Sequence, residues 1–312
     1  MTSADEHVGA DKLSVTGSHR PSPIDEAAIV AELRRIGPRF DPEVLQATRS
    51  LYRAAARELP WAERPTVQDV AYGPAERHRL DLFPADRPSA AVVLFLHGGG
   101  FVGGDKRGDP LFYGNVGRYF AAHGFLAVLA NYRLAPAATW PAGIEDVAAI
   151  VEWIRKHAAD HGGDNSRIVF IGQSAGAAHI AGFLFDELAE PAILSSIRGT
   201  ALMSGFYRPK APLVGGPLAY FGEDEAKWPE RSVVARVSTS HPPLLLSVAE
   251  LDPAPIADQT LELAMALNAV DGRPPQLLWF EGHNHVSTVH GLGVGRDLVG
   301  RALIDFAERV TR

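Results

Sequence analysis

From residue 67 onward the chain alternates between short apolar runs and longer amphipathic stretches. Residues 91–97, AVVLFLH, are apolar up to the closing histidine, with no polar alternation, the pattern of a strand buried on both faces. FLAVLAN (125–131), RIVFIG (167–172), RGTALMSG (198–205), PLLLSVAE (243–250) and QLLWF (276–280) predict further strands. VQDVAYG and HRLDLFP add two shorter ones ahead of them, which makes eight. Apolar residues at three- and four-residue spacing predict helices over 111–123, 141–159, 175–189, 256–270 and 294–310. Such alternation implies an α/β fold with a mostly parallel eight-stranded sheet covered by helices on both faces. Ligands of such sheets bind beyond the carboxyl ends of the strands. Residues 24–57 precede the sheet pattern and carry two helical stretches, the second opened by Asp41-Pro42.

The chemistry-bearing residues fall at those carboxyl ends. GQSAG (172–176) lies between the strand RIVFIG and the helix AGAAHIAGF. Strand, G-x-S-x-G, helix is the context of a nucleophile elbow, with Ser174 on a sharp turn that its small neighbours permit. The stretch LFLHGGGFVGG (94–104) ends another strand in bare backbone. A serine attacking a carbonyl creates an oxyanion, which needs N–H donors at about 3 Å. Gly99 and Gly100 are the candidate donors, with Ala175 after the nucleophile. No Gly-Lys-Ser/Thr follows this strand, which argues against a phosphate cradle. His97 is read as a structural histidine that braces the loop.

A serine nucleophile needs a base held by an acid, in the chain order Ser, acid, His on this kind of sheet. AELDPAPIAD follows PLLLSVAE and supplies Asp252, with Glu250 as the alternative. EGHNHVSTVH follows QLLWF and supplies His285, with His283 in the same segment as the alternative. The H-x-H spacing also suits a metal pair, but only His290 stands nearby as a further ligand.

Composition narrows the classes. The formal net charge of −7 and the lack of a basic cluster argue against nucleic acid as partner. The absence of cysteine excludes disulfides, thiolate metal sites and a cysteine nucleophile. No apolar run is long enough to span a bilayer. Residues 1–22 form a polar arm without the apolar core of a secretion signal, so a cytoplasmic location is expected.

HGGGF (97–101), NYRLAP (131–136), GQSAG (172–176), AELDP (249–253) and GHNH (282–285) together resemble the hormone-sensitive-lipase-like carboxylesterases of the α/β-hydrolase fold. The resemblance covers residues 66–312. It implies carboxylic ester hydrolysis by Ser174, Asp252 and His285, with Gly99, Gly100 and Ala175 around the oxyanion and no cofactor or metal. It also implies a small helical cap, here residues 23–60 together with 206–235, over a catalytic domain spanning 61–312. Phe101, Phe206, Tyr207 and Phe221 are the expected pocket residues. Two features depart from the family pattern: Gln173 replaces the usual aspartate, and Val286-Ser287 follows His285 in place of Gly-Phe. The expected partner is a small-molecule ester, with a homodimer left open. Amide hydrolysis of the arylformamidase kind and a non-catalytic ligand receptor are the competing functions.

Overall fold

The computed structural model of the chain describes residues 25–64, 66–109 and 111–312; the arm expected over 1–22 lies outside them. Eight strands form one sheet: β1 (Val67–Ala71), β2 (Arg79–Phe83), β3 (Ala90–Leu96), β4 (Leu126–Ala130), β5 (Gly163–Gln173), β6 (Ile197–Met203), β7 (Leu244–Leu251) and β8 (Gln276–Asn284). Their spatial order is β1-β2-β4-β3-β5-β6-β7-β8. β1 and β2 are antiparallel, and every pairing from β4 through β8 is parallel.

The helices are α1 (Glu26–Ile36), α2 (Pro42–Arg57), α3 (Gly114–Ala122), α4 (Ala142–His157), α5 (Ala175–Leu184) and α6 (Pro191–Leu194). They continue with α7 (Gly215–Phe221), α8 (Trp228–Arg231), α9 (Ala254–Asp271), α10 (Ser287–His290) and α11 (Leu298–Thr311). The two-residue period of β3 decides what each face carries. Val92, Leu94 and Leu96 pack with Val147 and Ile150 of α4, Ile180 and Phe183 of α5 and Leu263 of α9. Val93 and Phe95 face the other way, toward Val116 and Phe120 of α3 and Leu303 and Phe306 of α11. Every residue of β3 is buried, as expected of a strand covered on both sides.

The N-terminal helices form where capping chemistry allows. Asp25 caps α1 by accepting the Ala28 amide at 2.9 Å, and Asp41 caps α2 by accepting that of Val44 at 3.0 Å. Together they bury Leu33, Tyr52, Ala55 and Ala56 against Phe112 and Val294. Several boundaries differ from the periodicity. α5 stops at Leu184 and α11 begins at Leu298, where the Asp297 carboxylate caps it through the Gly300 amide. β8 runs four residues past Phe280, through a register shift against β7 in which Gly282 takes φ +72°. His283 therefore lies in a strand, whereas the apolar pattern places it in a loop.

The core also buries His97, His179 and His290. Burial pushes His97 down to about 4 and His179 and His290 to about 3, from an ordinary 6.5. Below pH 6.5 the unfolded chain takes up protons that the folded chain refuses. Their stabilising contribution is thus present above pH 6.5 and is lost as pH falls toward 4. Each histidine should remove up to about 1.4 kcal/mol per pH unit in that window. Denaturant midpoints measured between pH 7 and pH 4.5 should fall steadily, and a flat profile would contradict neutral burial of these rings.

Candidate active site

β5 delivers Ser174 to its turn. The residue takes φ 56° and ψ −121°, a conformation that side-chain-bearing residues rarely adopt. Its amide donates to the Met203 carbonyl of β6 at 2.9 Å, and α5 begins at the next residue. The turn brings α5 hard against β3. A Cβ on Gly176 would lie 2.2 Å from the Leu96 carbonyl oxygen and 2.6 Å from that of His97. Only glycine fits there.

The loop after β7 and the end of β8 bring an acid to an imidazole. His285 Nδ1–H donates to Asp252 Oδ1 at 2.7 Å, with the two side chains 1% and 0% exposed. The other oxygen, Oδ2, accepts the Ser204 hydroxyl at 2.6 Å and the Ala249 amide at 2.8 Å. Three hydrogen bonds thereby satisfy the buried carboxylate, as a buried polar group requires. His285 Nε2 is buried and has no hydrogen-bond partner among the described residues. The Ser174 hydroxyl does not reach it here; catalytic hydrogen bonds of this kind commonly tighten only around substrate.

The alternative acid and base are engaged elsewhere. Glu250 forms a two-pronged pair with Arg34 of α1 at 3.0 Å and accepts the Gly282 amide at 2.7 Å. The Arg34 hydrogen bond holds its carboxyl below the usual range. His283 Nδ1 lies 3.0 Å from Ser287 Oγ, and the ring lines a separate cavity with Glu26, Arg34 and Tyr52. No group of three or more metal-binding side chains occurs among the described residues.

The glycine loop is built from its strand end outward. His97 Nδ1–H donates to the Gly98 carbonyl at 2.7 Å, and its ring stacks on Tyr132 at 4.5 Å. The Tyr132 hydroxyl donates to the His97 carbonyl at 2.7 Å. Gly99 takes φ +145°, and a Cβ there would lie 2.0 Å from the Gly103 carbonyl oxygen. Among the described residues, nothing accepts a hydrogen bond from the amides of Gly99, Gly100 or Ala175.

A cavity of about 400 Å³ opens beside Ser174, between Gly98, Gly99 and Gln173 on one side and Phe40, Leu45 and Arg49 on the other. None of the four expected pocket residues lies on its wall. Phe101 is 2% exposed and stacks on Tyr220 at 4.8 Å, with Phe206 and Phe221 edge-on to it. These rings pin α7 to the glycine loop, where α7 comes so near that a Cβ on Gly216 would overlap the Gly100 carbonyl. Tyr207 packs into the sheet core on the α4, α5 and α9 face. The walls come instead from the N-terminal segment and from Tyr113 and Val286.

Other residues at the site went unread in the sequence. Ser204 follows β6 directly, at a carboxyl end like the other groups, and that position was its only signal. Gln173, the departure from the family pattern, donates through Nε2 to the His285 carbonyl at 3.0 Å and so ties the histidine loop to the elbow. Phe40 meets the His285 ring edge-on at 4.7 Å.

The sheet order and the elbow define an α/β-hydrolase. A family model described as BD-FAE matches residues 80–188, which include the glycine loop and Ser174. Esterase LipQ of Mycobacterium tuberculosis is 33% identical over 54% of this chain and 43% of its own length. Carboxylesterase NlhH of the same organism is 42% identical over 30% of this chain and 28% of its own length. Among solved structures, a bacterial heroin esterase is 26% identical with a TM-score of 0.67, covering 91% of this chain and 98% of that one. Esterase B of Lactobacillus rhamnosis shares the fold at a TM-score of 0.69, with 92% of this chain and 96% of that one aligned at 19% identity. The chain shares the α/β-hydrolase fold and is similar to carboxylesterases of that fold. It spans less than half the length of these curated relatives.

The elbow geometry gives a stability contrast. Gly176→Ala sets a methyl group against fixed backbone, whereas Gly108→Ala meets nothing closer than 3.5 Å. Thermal unfolding should show the first losing about 1–3 kcal/mol or more and the second within about 0.5 kcal/mol of the parent.

Proposed function

We propose that the chain hydrolyses small or medium carboxylic esters through an acyl-enzyme on Ser174. The observation that carries this is the fully buried Asp252–His285 pair, whose imidazole keeps an unpaired Nε2 at the carboxyl edge that also carries the serine elbow. Because Nδ1 carries the proton given to Asp252, a neutral ring has its lone pair on Nε2, the form a general base requires.

In the first half-reaction Nε2 takes the Ser174 proton as Oγ bonds to the ester carbonyl carbon. The amides of Gly99, Gly100 and Ala175 receive the resulting oxyanion, each donor of this type contributing about 3–4 kcal/mol to transition-state stability. His285 then passes the proton to the departing alcohol, and the C–O bond breaks. In the second half-reaction the same nitrogen takes a proton from water, whose oxygen bonds to the acyl carbon, and returns it to Ser174 as the acid leaves. Asp252 keeps the imidazole in one tautomer and stabilises the imidazolium without taking up its proton.

In this scheme residues 23–60, which the structure describes from residue 25 onward, and 206–235 act as a cap on the catalytic domain of 61–312. Phe40 supports that role, since it shields His285 from one side. The scheme needs no cofactor. No helix among the described residues is long and apolar enough to cross a membrane, and the partner in this scheme is a small-molecule ester. The cytoplasmic location and the homodimer accompany it as expectations from the sequence.

Ser174→Ala should lose nearly all hydrolysis of p-nitrophenyl acetate and all labelling by a fluorophosphonate, while its circular-dichroism melt stays that of a folded protein. Turnover close to the parent's would overturn the assignment. Ser204→Ala removes one donor from the Asp252 carboxylate, a hydrogen bond to a charged group of the kind worth about 1.5–3 kcal/mol. A steady-state assay should show kcat/KM lower by roughly tenfold or more if that bond holds the pair in its working geometry. An unchanged value would make Ser204 a spectator.

A further inference from the structure

Arg49 stands on the wall of the Ser174 cavity and forms no salt bridge among the described residues. It lies on α2, one turn before Arg53, so the two guanidinium groups project from the same side of the helix. Arg53 takes the nearby carboxylate, Asp109, at 2.6 Å. Asp109 Oδ1 also accepts the Leu111 amide at 3.0 Å. The acid on the cavity wall itself, Asp105, is equally engaged. Asp105 accepts the Asn131 side-chain amide at 2.6 Å and the Arg107 amide at 2.8 Å, with Arg77 3.9 Å away. Among the described residues no carboxylate comes within 4 Å of Arg49, and its Nε is buried with no hydrogen-bond partner.

The helix that carries Arg49 is fixed to the site. Thr48, the preceding residue, is fully buried and accepts the Asn284 side-chain amide at 2.8 Å, next to His285 in the chain. The guanidinium is therefore held over the cavity. A cation half out of water without a partner is unfavourable, and a planar anion that accepts two parallel N–H bonds relieves it best. With one free guanidinium and Asp105 on the same wall, a singly charged group suits the cavity better than a doubly charged one. A carboxylate meets that description.

We propose that Arg49 binds a carboxylate carried by the substrate, so that the site selects esters bearing a free carboxylate a few bonds from the scissile carbonyl over neutral esters of the same shape. This rests on Ser174 being the nucleophile of an esterase. It gives that esterase a substrate class.

Two matched pairs of esters test it, one with the charge on the acyl side and one with it on the alcohol side. Monomethyl glutarate is compared with methyl 5-methylhexanoate, and 4-acetoxybenzoate with 4-acetoxybenzamide. The quantity read is the ratio of kcat/KM for the charged ester to that for its neutral partner, from which any general loss of active protein cancels. In at least one pair Arg49→Gln should lower that ratio by about tenfold to a hundredfold relative to the parent. Arg49→Lys should fall between, because it keeps the charge and loses the two-pronged geometry. A ratio unmoved by Arg49→Gln in both pairs overturns the proposal.

Calorimetric binding of monomethyl glutarate and of 4-acetoxybenzoate to Ser174→Ala separates this failure from that of the esterase reading. Arg49-dependent binding without hydrolysis of any of the four esters by the parent would leave the carboxylate site standing and remove the esterase. Hydrolysis of the neutral esters with no Arg49-dependent binding or preference would do the reverse.

Discussion

The structure around the site depends on one backbone conformation, that of Ser174. A residue with a side chain held at φ 56° costs about 1–3 kcal/mol, and it persists only where its surroundings allow no alternative. Here β5 is locked between β3 and β6 as far as the turn itself, with Gly172 paired to both Leu96 and Leu202. The Ser174 amide is committed to Met203 of β6, and α5 departs at once across Gly176. The strain is offset by the sheet's own ladder and by a helix packed along its whole length. Relaxing the turn would lift α5, which has no exposed residue, off the sheet.

From that fixed point the site is assembled by long-range links. Gln173, beside Ser174, reaches the His285 carbonyl; His285 reaches Asp252; Asp252 reaches Ser204 at the end of β6. The sequence separations of these links are 112, 33 and 48 residues. Adjacent strand ends thus do what a local motif cannot, pairing a buried carboxylate with an imidazole on the sheet edge that also carries the serine elbow. Each member also satisfies a neighbour that would otherwise be a buried unpaired group, so loss of one leaves another uncompensated.

The fold was legible because its signals are short-range. Uninterrupted apolar runs mark strands buried on both faces, and the motif residues follow those runs directly. The pairing of Asp252 with His285 was legible for the same reason: strand ends in a parallel sheet lie side by side. What escaped has a common cause. β8 runs on to Asn284 because a register shift and the positive φ of Gly282 extend it, and neither appears in hydrophobic periodicity. Ser204 escaped because serine after a strand is ordinary until its partner is known. The pocket residues were misplaced for a deeper reason. Aromatic density around 206–221 signals burial equally well whether the rings face a ligand or one another, and here Phe101, Tyr220 and Phe221 face one another.

The division between sheet and covering segments also bears on how selectivity arises. Ser174, Asp252 and His285 stand at the ends of strands whose positions follow from hydrogen-bonded ladders. The opposite wall of the cavity belongs to α2 and the chain before it, which no ladder fixes. That wall is held by side-chain contacts, Thr48 to Asn284, Arg34 to Glu250 and Phe40 to His285, and by a small apolar cluster. Substitution on α2 can therefore change the charge and shape of the cavity while Ser174, Asp252 and His285 stay where the sheet puts them, as expected when function is grafted onto a fold. The limit is Thr48, whose hydroxyl receives the side chain next to His285; a change there would disturb the wall and His285 together.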